Sequence, residues 1–144
     1  MEKLFWVIVA FILSPFPAAA QVFDVPIPGI GRTRATIGFS PGYDHNNCTA
    51  LGAFPGDVTT PFFVYAWLVR LPETGAGQVN REIRIIYPSG KIDIDRGSIN
   101  WGAHHANYCA AQNILKLPTF GDHRFQFIFN GVEVGRLTLT VQQR

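Results

Sequence analysis

The sequence predicts an all-β protein built from antiparallel strands. Its dominant pattern is an alternation of apolar and polar residues with a period of two, as expected for strands that bury one face. Asparagine-glycine and proline-serine-glycine turns separate the alternating segments. No stretch shows the 3.6-residue period of a convincing amphipathic helix. Together these observations indicate an antiparallel sandwich or barrel.

The N-terminal segment is typical of a cleavable signal peptide. Lys3 precedes an apolar run over residues 4–13, Pro15 follows it, and Ala18 and Ala20 supply the small residues expected before a cleavage site. The run is shorter than the about 20 apolar residues that a membrane-spanning helix needs. We therefore expect cleavage after Ala20, a mature chain with no transmembrane segment, and a secreted or periplasmic location.

Once the signal peptide at residues 1–20 is removed, residues 21–144 are expected to form one domain. The formal charge is only +2, and the basic residues are scattered singly, which excludes the electrostatic footprint of a nucleic-acid-binding protein. Twelve Phe, three Trp and four Tyr against 15% charged residues indicate a packed globule rather than a disordered chain.

The first two strands are predicted at residues 33–39 and 62–71. The second is apolar on both faces and rich in aromatic and β-branched residues, as expected for a central strand covered on both sides. Residues 40–60 between them have no sustained period and are predicted to form a long loop. Because long loops often carry function, we expect Tyr43 and Phe54 to contact a partner, with attachment of the loop to the core as the alternative.

A hairpin with a proline-serine-glycine turn is predicted over residues 83–95. In its second strand, Asp93 and Asp95 alternate with isoleucines, so we expect these acids on the solvent-exposed face rather than in a metal site. The following residues, 98–117, have an ambiguous pattern, and one short helical turn is predicted near residues 106–115.

The clearest hairpin ends the chain. Three phenylalanines alternate over residues 125–129, Asn130-Gly131 follows, and aliphatic residues alternate on the return strand as far as Val141. Both turn residues tolerate the positive φ of a type I′ turn. The apolar residues of the return strand are even-numbered before Gly135 (Val132, Val134) and odd-numbered after it (Leu137, Leu139, Val141). This shift of one residue predicts a β-bulge at Gly135.

This C-terminal stretch, residues 118–141, resembles the closing strands of immunoglobulin-like sandwich domains of secreted bacterial proteins. In both, a proline and a glycine precede a strand of alternating aromatics that pairs with the last strand. The resemblance implies an immunoglobulin-like β-sandwich of about seven strands. His123 occupies the place of a corner tyrosine, and the second cysteine of antibody domains is missing. The resemblance therefore implies an architecture and no functional residues.

Cys48 and Cys109 are expected to form a disulfide, because exported chains fold in an oxidising compartment. Such a bridge would stabilise the fold by about 4 kcal/mol on the chain-entropy model. The alternative is a tetrahedral zinc site in which both sulfurs join His45 and one of the adjacent His104 and His105. The H-x2-C and H-x3-C spacings do not match those of the familiar zinc fingers.

We therefore expect a non-enzymatic binding or structural module, without a cofactor, that presents loops or a sheet edge to a protein or surface partner. One alternative is a metal-binding protein in which His45, His104 and His105 hold Zn or Cu. A second is a small secreted hydrolase or carbohydrate-active protein that uses Trp101 as a binding platform. The sequence contains no nucleophile elbow of the serine hydrolases, and the second alternative requires Trp101 to line a cleft.

Overall fold

The computed structural model describes residues 5–10, 20–117 and 119–143, which form strands, turns and loops. No helix with the length and hydropathy of a membrane span occurs in these ranges. The strands are β1 (Phe5–Ala10), β2 (Gln21–Ile27), β3 (Gly31–Ser40), β4 (Tyr43–Asp44), β5 (Thr49–Ala50), β6 (Phe62–Arg70), β7 (Gly77–Ile86), β8 (Ile92–Trp101), β9 (Asn107–Ile114), β10 (Gly121–Phe129) and β11 (Val132–Gln143).

Two antiparallel sheets contain all the longer strands. Sheet A has the order β1-β11-β10-β7-β8, and sheet B has the order β2-β3-β6-β9. The short strands β4 and β5 form a separate ribbon inside the predicted long loop. The predicted fold class, all-β with antiparallel sheets, is confirmed. The strands outnumber the predicted seven because β1 lies in the segment assigned to the signal peptide, and β2 and the ribbon were not predicted as strands.

The sheets pack face to face over one hydrophobic core. Phe39 of β3 meets Phe125 of β10 with ring centroids 5.1 Å apart, and Tyr108 of β9 meets Phe129 of β10 at 6.4 Å. Every described member of this core lies after residue 22. Each fully buried large apolar side chain of this core stabilises the fold by about 1.5–3 kcal/mol.

The segment expected to contain a helical turn is instead strand β9. It pairs antiparallel with β6 from Phe62↔Ile114 to Val69↔Asn107. Ala110 and Ile114 are buried in the core and Tyr108 packs against it, so the same face of the strand points inward along its length. Pairing with a central strand overrides the weak local helix preference of this alanine-containing stretch. Strand β6 therefore has a neighbour on each side, β3 and β9, as its apolar sequence predicted.

The acids of β8 lie on the inner face of sheet A, contrary to the prediction. Asp93 and Asp95 pair with Ile85 and Ile83 of β7, which are buried, and directly opposed residues point to the same face. Ile92, in contrast, faces solvent with 50% of its surface exposed. Alternation fixes which residues share a face, but the sequence of β8 alone does not say which face is inward.

Polar partners make this inward position tolerable. The Tyr87 hydroxyl donates to Asp93 over 2.7 Å, and burial together with this hydrogen bond raises the pKa of Tyr87 to about 12. The Arg81 guanidinium pairs with Asp95 at 2.8 Å. Gly97 leaves room for it, since a Cβ there would lie 2.7 Å from Arg81 Nη2. Both acids remain partly in solvent because β8 is the edge of its sheet.

The C-terminal hairpin forms as predicted. Asn130 and Gly131 have φ angles of 49° and 80°, which a type I′ turn requires. The Asn130 side chain also donates to the carbonyl oxygens of Pro28 and Gln78, and its Oδ1 accepts from the Asn80 backbone N–H. The turn therefore joins the β2–β3 connection and the start of β7.

The predicted bulge is confirmed at the same hairpin. The register between β10 and β11 shifts immediately after Phe127, which pairs with Gly135. A Cβ at Gly135 would lie 2.7 Å from Cδ1 of Ile37 and 2.8 Å from Cε2 of Phe23. Glycine therefore allows β11 to approach sheet B closely.

We expect Gly135→Ala to lower the free energy of unfolding by about 1–3 kcal/mol, because the added methyl group overpacks the core. Urea denaturation of the mature chain measures this change. Gly42→Ala is the matched control, because a Cβ at Gly42 would make only an ordinary contact of 3.5 Å with Leu51. Equal stability of the two variants would contradict the close approach of β11.

His123 is fully buried near the start of β10. Its Nδ1 lies 3.1 Å from the carbonyl oxygen of Gly121, and its Nε2 lies 3.3 Å from Thr119 Oγ1. The neutral imidazole satisfies both contacts by donating from Nδ1 and accepting at Nε2. Burial lowers the pKa of His123, although the contact with Gly121 and the charge of Asp122 oppose this effect.

Acid is therefore expected to destabilise the domain through His123. The unfolded chain, in which histidine has a pKa of about 6.5, takes up a proton before the folded chain does. The stabilising contribution is complete above that pH and is lost as the pH falls through the lowered pKa of the folded state. Urea denaturation between pH 7.5 and 5.5 should show a smaller pH dependence for His123→Gln, whereas the exposed-site control His104→Gln should match the unmodified chain.

Candidate functional site

The long loop folds back onto the outer face of sheet B. Tyr43 of β4 stacks on Tyr65 of β6 with ring centroids 5.1 Å apart. Tyr65 lies flat against β3 because its partner there is Gly38, where a Cβ would lie 2.7 Å from the tyrosine oxygen. Burial raises the pKa of both tyrosine hydroxyls, so both stay neutral. The ribbon of β4 and β5 thus covers part of the sheet as a third layer.

The turn that joins β4 to β5 contains the H-N-N-C sequence. Asp44 accepts a hydrogen bond from the Asn46 backbone N–H at 3.0 Å and another from Asn47 Nδ2 at 2.7 Å. These bonds hold the pKa of Asp44 below its usual value. Cys48 closes the turn in the left-handed region, with φ of 51°. Asx geometry of this kind is a common way to fix a tight turn.

The predicted disulfide is confirmed. Cys48 and Cys109 are bonded, with their Cα atoms 5.6 Å apart and a sequence separation of 61. Cys109 lies on the edge strand β9, opposite Trp67 of β6. The bond therefore fastens the ribbon to sheet B. Bonded sulfurs are not thiolates, so the zinc site with two cysteine ligands does not form in this state.

The disulfide brings the histidines of the two sequence motifs to one surface. His45, His104 and His105 are exposed and line an open depression of about 530 Å³ together with both cysteines. The ring centroids of His104 and His105 lie 4.0 Å apart. We call this area the histidine–disulfide surface. Within the described chain, however, no three His, Cys, Asp or Glu side chains are grouped closely enough to hold a metal ion.

Arg70 fixes the second loop of this surface, residues 102–106 between β8 and β9. Its guanidinium donates to the carbonyl oxygens of Gly102 and His105 on one side and of Thr74 and Gly75 on the other. It also lies 4.3 Å from the ring centroid of Trp101, a cation–π contact. Sequence reasoning missed this role. An arginine that ends an apolar strand was the only available signal, and the carbonyl groups of Gly102 and His105 are more than 30 residues away in sequence.

The aromatic residues expected to bind a partner are buried. Tyr43 is 8%, Phe54 5% and Trp101 0% exposed. Phe54 packs between Phe39 and Phe62, so it attaches the loop to the core. The surface around these rings, rather than the rings themselves, is available to a partner. Because Trp101 is sealed in the core, it cannot serve as the binding platform that the hydrolase or carbohydrate alternative required.

Other aromatics extend the histidine–disulfide surface along β6. Phe63 and Trp67 are half-buried on the outer face, and the Trp67 indole N–H donates to Asn107 over 2.9 Å. The ring of His45 lies 6.2 Å from that of Phe63. Both rings belong to the apolar segment 62–71, which was predicted to be covered on both faces. The ribbon covers only part of this outer face, so the two rings remain partly exposed.

No protein-family model matches this chain, and no curated protein matches it.

Removal of the disulfide should destabilise the domain. We expect the Cys48→Ala, Cys109→Ala double variant to lose about 4 kcal/mol of unfolding free energy, the chain-entropy value for a loop of this length. Denaturant unfolding measures the loss, and the unmodified chain under reducing conditions is the control, which should match the double variant. A loss below about 1 kcal/mol would contradict a stabilising role for the bond.

Proposed function

We propose that residues 21–144 form an immunoglobulin-like sandwich that is exported and binds a protein partner without catalysing a reaction. Immunoglobulin-like domains join two sheets through Greek-key connections. Here the chain crosses from sheet B to sheet A after β6, returns to sheet B after β8, and crosses to sheet A again after β9. As a result, β9 pairs with β6 and β10 pairs with β7, although neither pair is consecutive in sequence. This strand order supports the proposed architecture.

Two features support export. The first 20 residues have the composition of a signal peptide, and the disulfide is of the kind that persists in oxidising compartments. The cleavage site itself, after Ala20, follows residues that lie outside the described ranges. Cleavage remains a prediction of the sequence.

One observation carries the proposed binding role: two loops that are distant in sequence form a single surface on a rigid frame. The Cys48–Cys109 bond fixes the first loop, residues 45–48 between β4 and β5, and Arg70 fixes the second. A preorganised surface loses little conformational entropy when a partner binds. Loops held by a sheet scaffold are the usual carriers of recognition in such domains.

The chemistry of the surface favours a protein partner. The half-buried ring of Phe63 lies near that of His45, and half-buried Trp67 donates to Asn107, which lines the depression. Aromatic side chains are enriched at the centres of protein interfaces. Asp44, the acid of the first loop, is occupied by the amides of its own turn. The depression is open to solvent, unlike the enclosed pockets that usually hold small molecules.

Site-specific photo-crosslinking tests this proposal. A photoreactive residue in place of Asn46, which lies in the depression, should crosslink one protein of the extracytoplasmic fraction of the source organism. The triple variant His45→Ala, His104→Ala, His105→Ala should reduce that crosslink at least tenfold and change the unfolding free energy by less than about 0.5 kcal/mol, as for exposed substitutions.

The control carries the photoreactive residue at Ser89, which is exposed in the turn between β7 and β8. No crosslink to the same protein is expected there. Undiminished crosslinking by the triple variant would contradict the proposed surface. A crosslink that a chelator removes and added Zn²⁺ restores would instead support the metal-binding alternative.

A further inference from the structure

Without β1, the outer strands of the two sheets are β2, β9, β8 and β11, and the first three carry features that oppose pairing with another strand. In β2, Asp24 is paired with arginines of β3, and Pro26 has no backbone N–H to donate. In β8, Asp93 and Asp95 point inward at the edge. At β9, the disulfide through Cys109 fastens the ribbon beside the strand. Inward charges, proline and covering segments are known ways to protect an edge.

The second half of β11 has none of these features. Residues 137–143 contain only leucine, threonine, valine and glutamine, so this stretch has no charge, no proline and no glycine. The charged residues of the strand, Glu133 and Arg136, lie in its first half and pair with each other. An uncharged edge rich in β-branched residues readily accepts another strand.

The segment that covers this edge in the structure is β1. It pairs antiparallel with β11 from Phe5↔Gln143 to Ala10↔Thr138. The paired stretch therefore coincides with the uncharged half of the strand. β1 lies within the predicted signal peptide, so cleavage after Ala20 removes it and leaves β11 as the edge of sheet A.

We propose that the edge of β11 in the mature protein accepts an extended apolar segment of a partner protein, which adds to sheet A as an antiparallel strand. The proposal rests on the signal cleavage included in the proposed function. It names a second binding surface, separate from the histidine–disulfide surface. Main-chain hydrogen bonds supply the affinity in this mode of recognition, and alternate side chains supply the specificity.

The register defines the segment that fits. Leu139 and Val141 of β11 point into the core and are 0% and 1% exposed. Residues directly opposite them in an added strand point the same way, so these two positions should be apolar. Residues opposite Thr138 and Thr140 point outward and tolerate polar side chains. The added strand needs about six residues, the length of β1.

The direct test measures binding of a synthetic peptide to residues 21–144. The peptide has the sequence of residues 4–11, with lysines added at both ends for solubility. We expect saturable binding by fluorescence anisotropy and slowed hydrogen exchange at those alternate backbone amides of residues 138–143 that face away from β10. The peptide supplies the apolar alternate positions that the register requires.

Two N-methylated peptides provide a matched control for nonspecific apolar binding. One carries N-methyl groups at residues 5, 7 and 9, and the other at residues 6, 8 and 10. A strand directs alternate amides to opposite sides, so only one set faces β11. One peptide should therefore lose affinity at least tenfold and the other should keep it. Equal affinity of the two peptides, high or low, would overturn the proposal.

The remaining outcomes are also decisive. Sedimentation velocity should show a monomer, and a dimer that the peptide dissociates would identify a second copy as the occupant, which overturns the proposal. A chain of residues 21–144 that shows no cooperative unfolding would mean that β1 belongs to the fold, and this result would also overturn the proposal. The triple histidine variant should still bind the peptide, so a failure of the proposed function at the depression is distinguishable from a failure at β11.

Discussion

Burial of one face of each sheet against the other is the constraint on which the rest of the structure depends. Successive side chains of a strand point to opposite faces, so filling the core also fixes what appears outside. In β6, Val64, Ala66 and Leu68 are inside. Tyr65 and Trp67 are therefore outside, on a face that would expose aromatic rings to water. The ribbon of β4 and β5 covers part of this face, and the disulfide holds it there. The candidate site lies at the margin of the ribbon, beside β9.

The features that could be predicted from the sequence depend on interactions between near neighbours. The turn at Asn130 and Gly131 requires positive φ at two adjacent residues, and the bulge at Gly135 appears as a slip in the local apolar phase. The disulfide was also predictable, because the chain has two cysteines and a signal-like N-terminus. None of these inferences needed the order of the strands.

The features that could not be predicted depend on partners distant in sequence. Asp93 and Asp95 face inward because their neighbours in β7 are Ile85 and Ile83, and alternation alone is symmetric between the two faces. Tyr43 is buried because a glycine in β3 lets Tyr65 lie flat beneath it. Arg70 organises the second loop through carbonyl groups that have no sequence signature. Such contacts exist only once the sheets have assembled.

The two proposed surfaces, the edge of β11 and the histidine–disulfide surface, lie at opposite lateral edges of the sandwich. β11 packs over β2 and β3, whereas the histidine–disulfide surface lies beside β9, at the far edge of sheet B. A strand added at β11 extends sheet A away from β8 and so does not approach that surface. If both proposals hold, one domain can bind at both edges at once. Where one partner, or two linked partners, makes both contacts, the second contact gains from the effective concentration that the first creates, so two weak contacts give stable attachment.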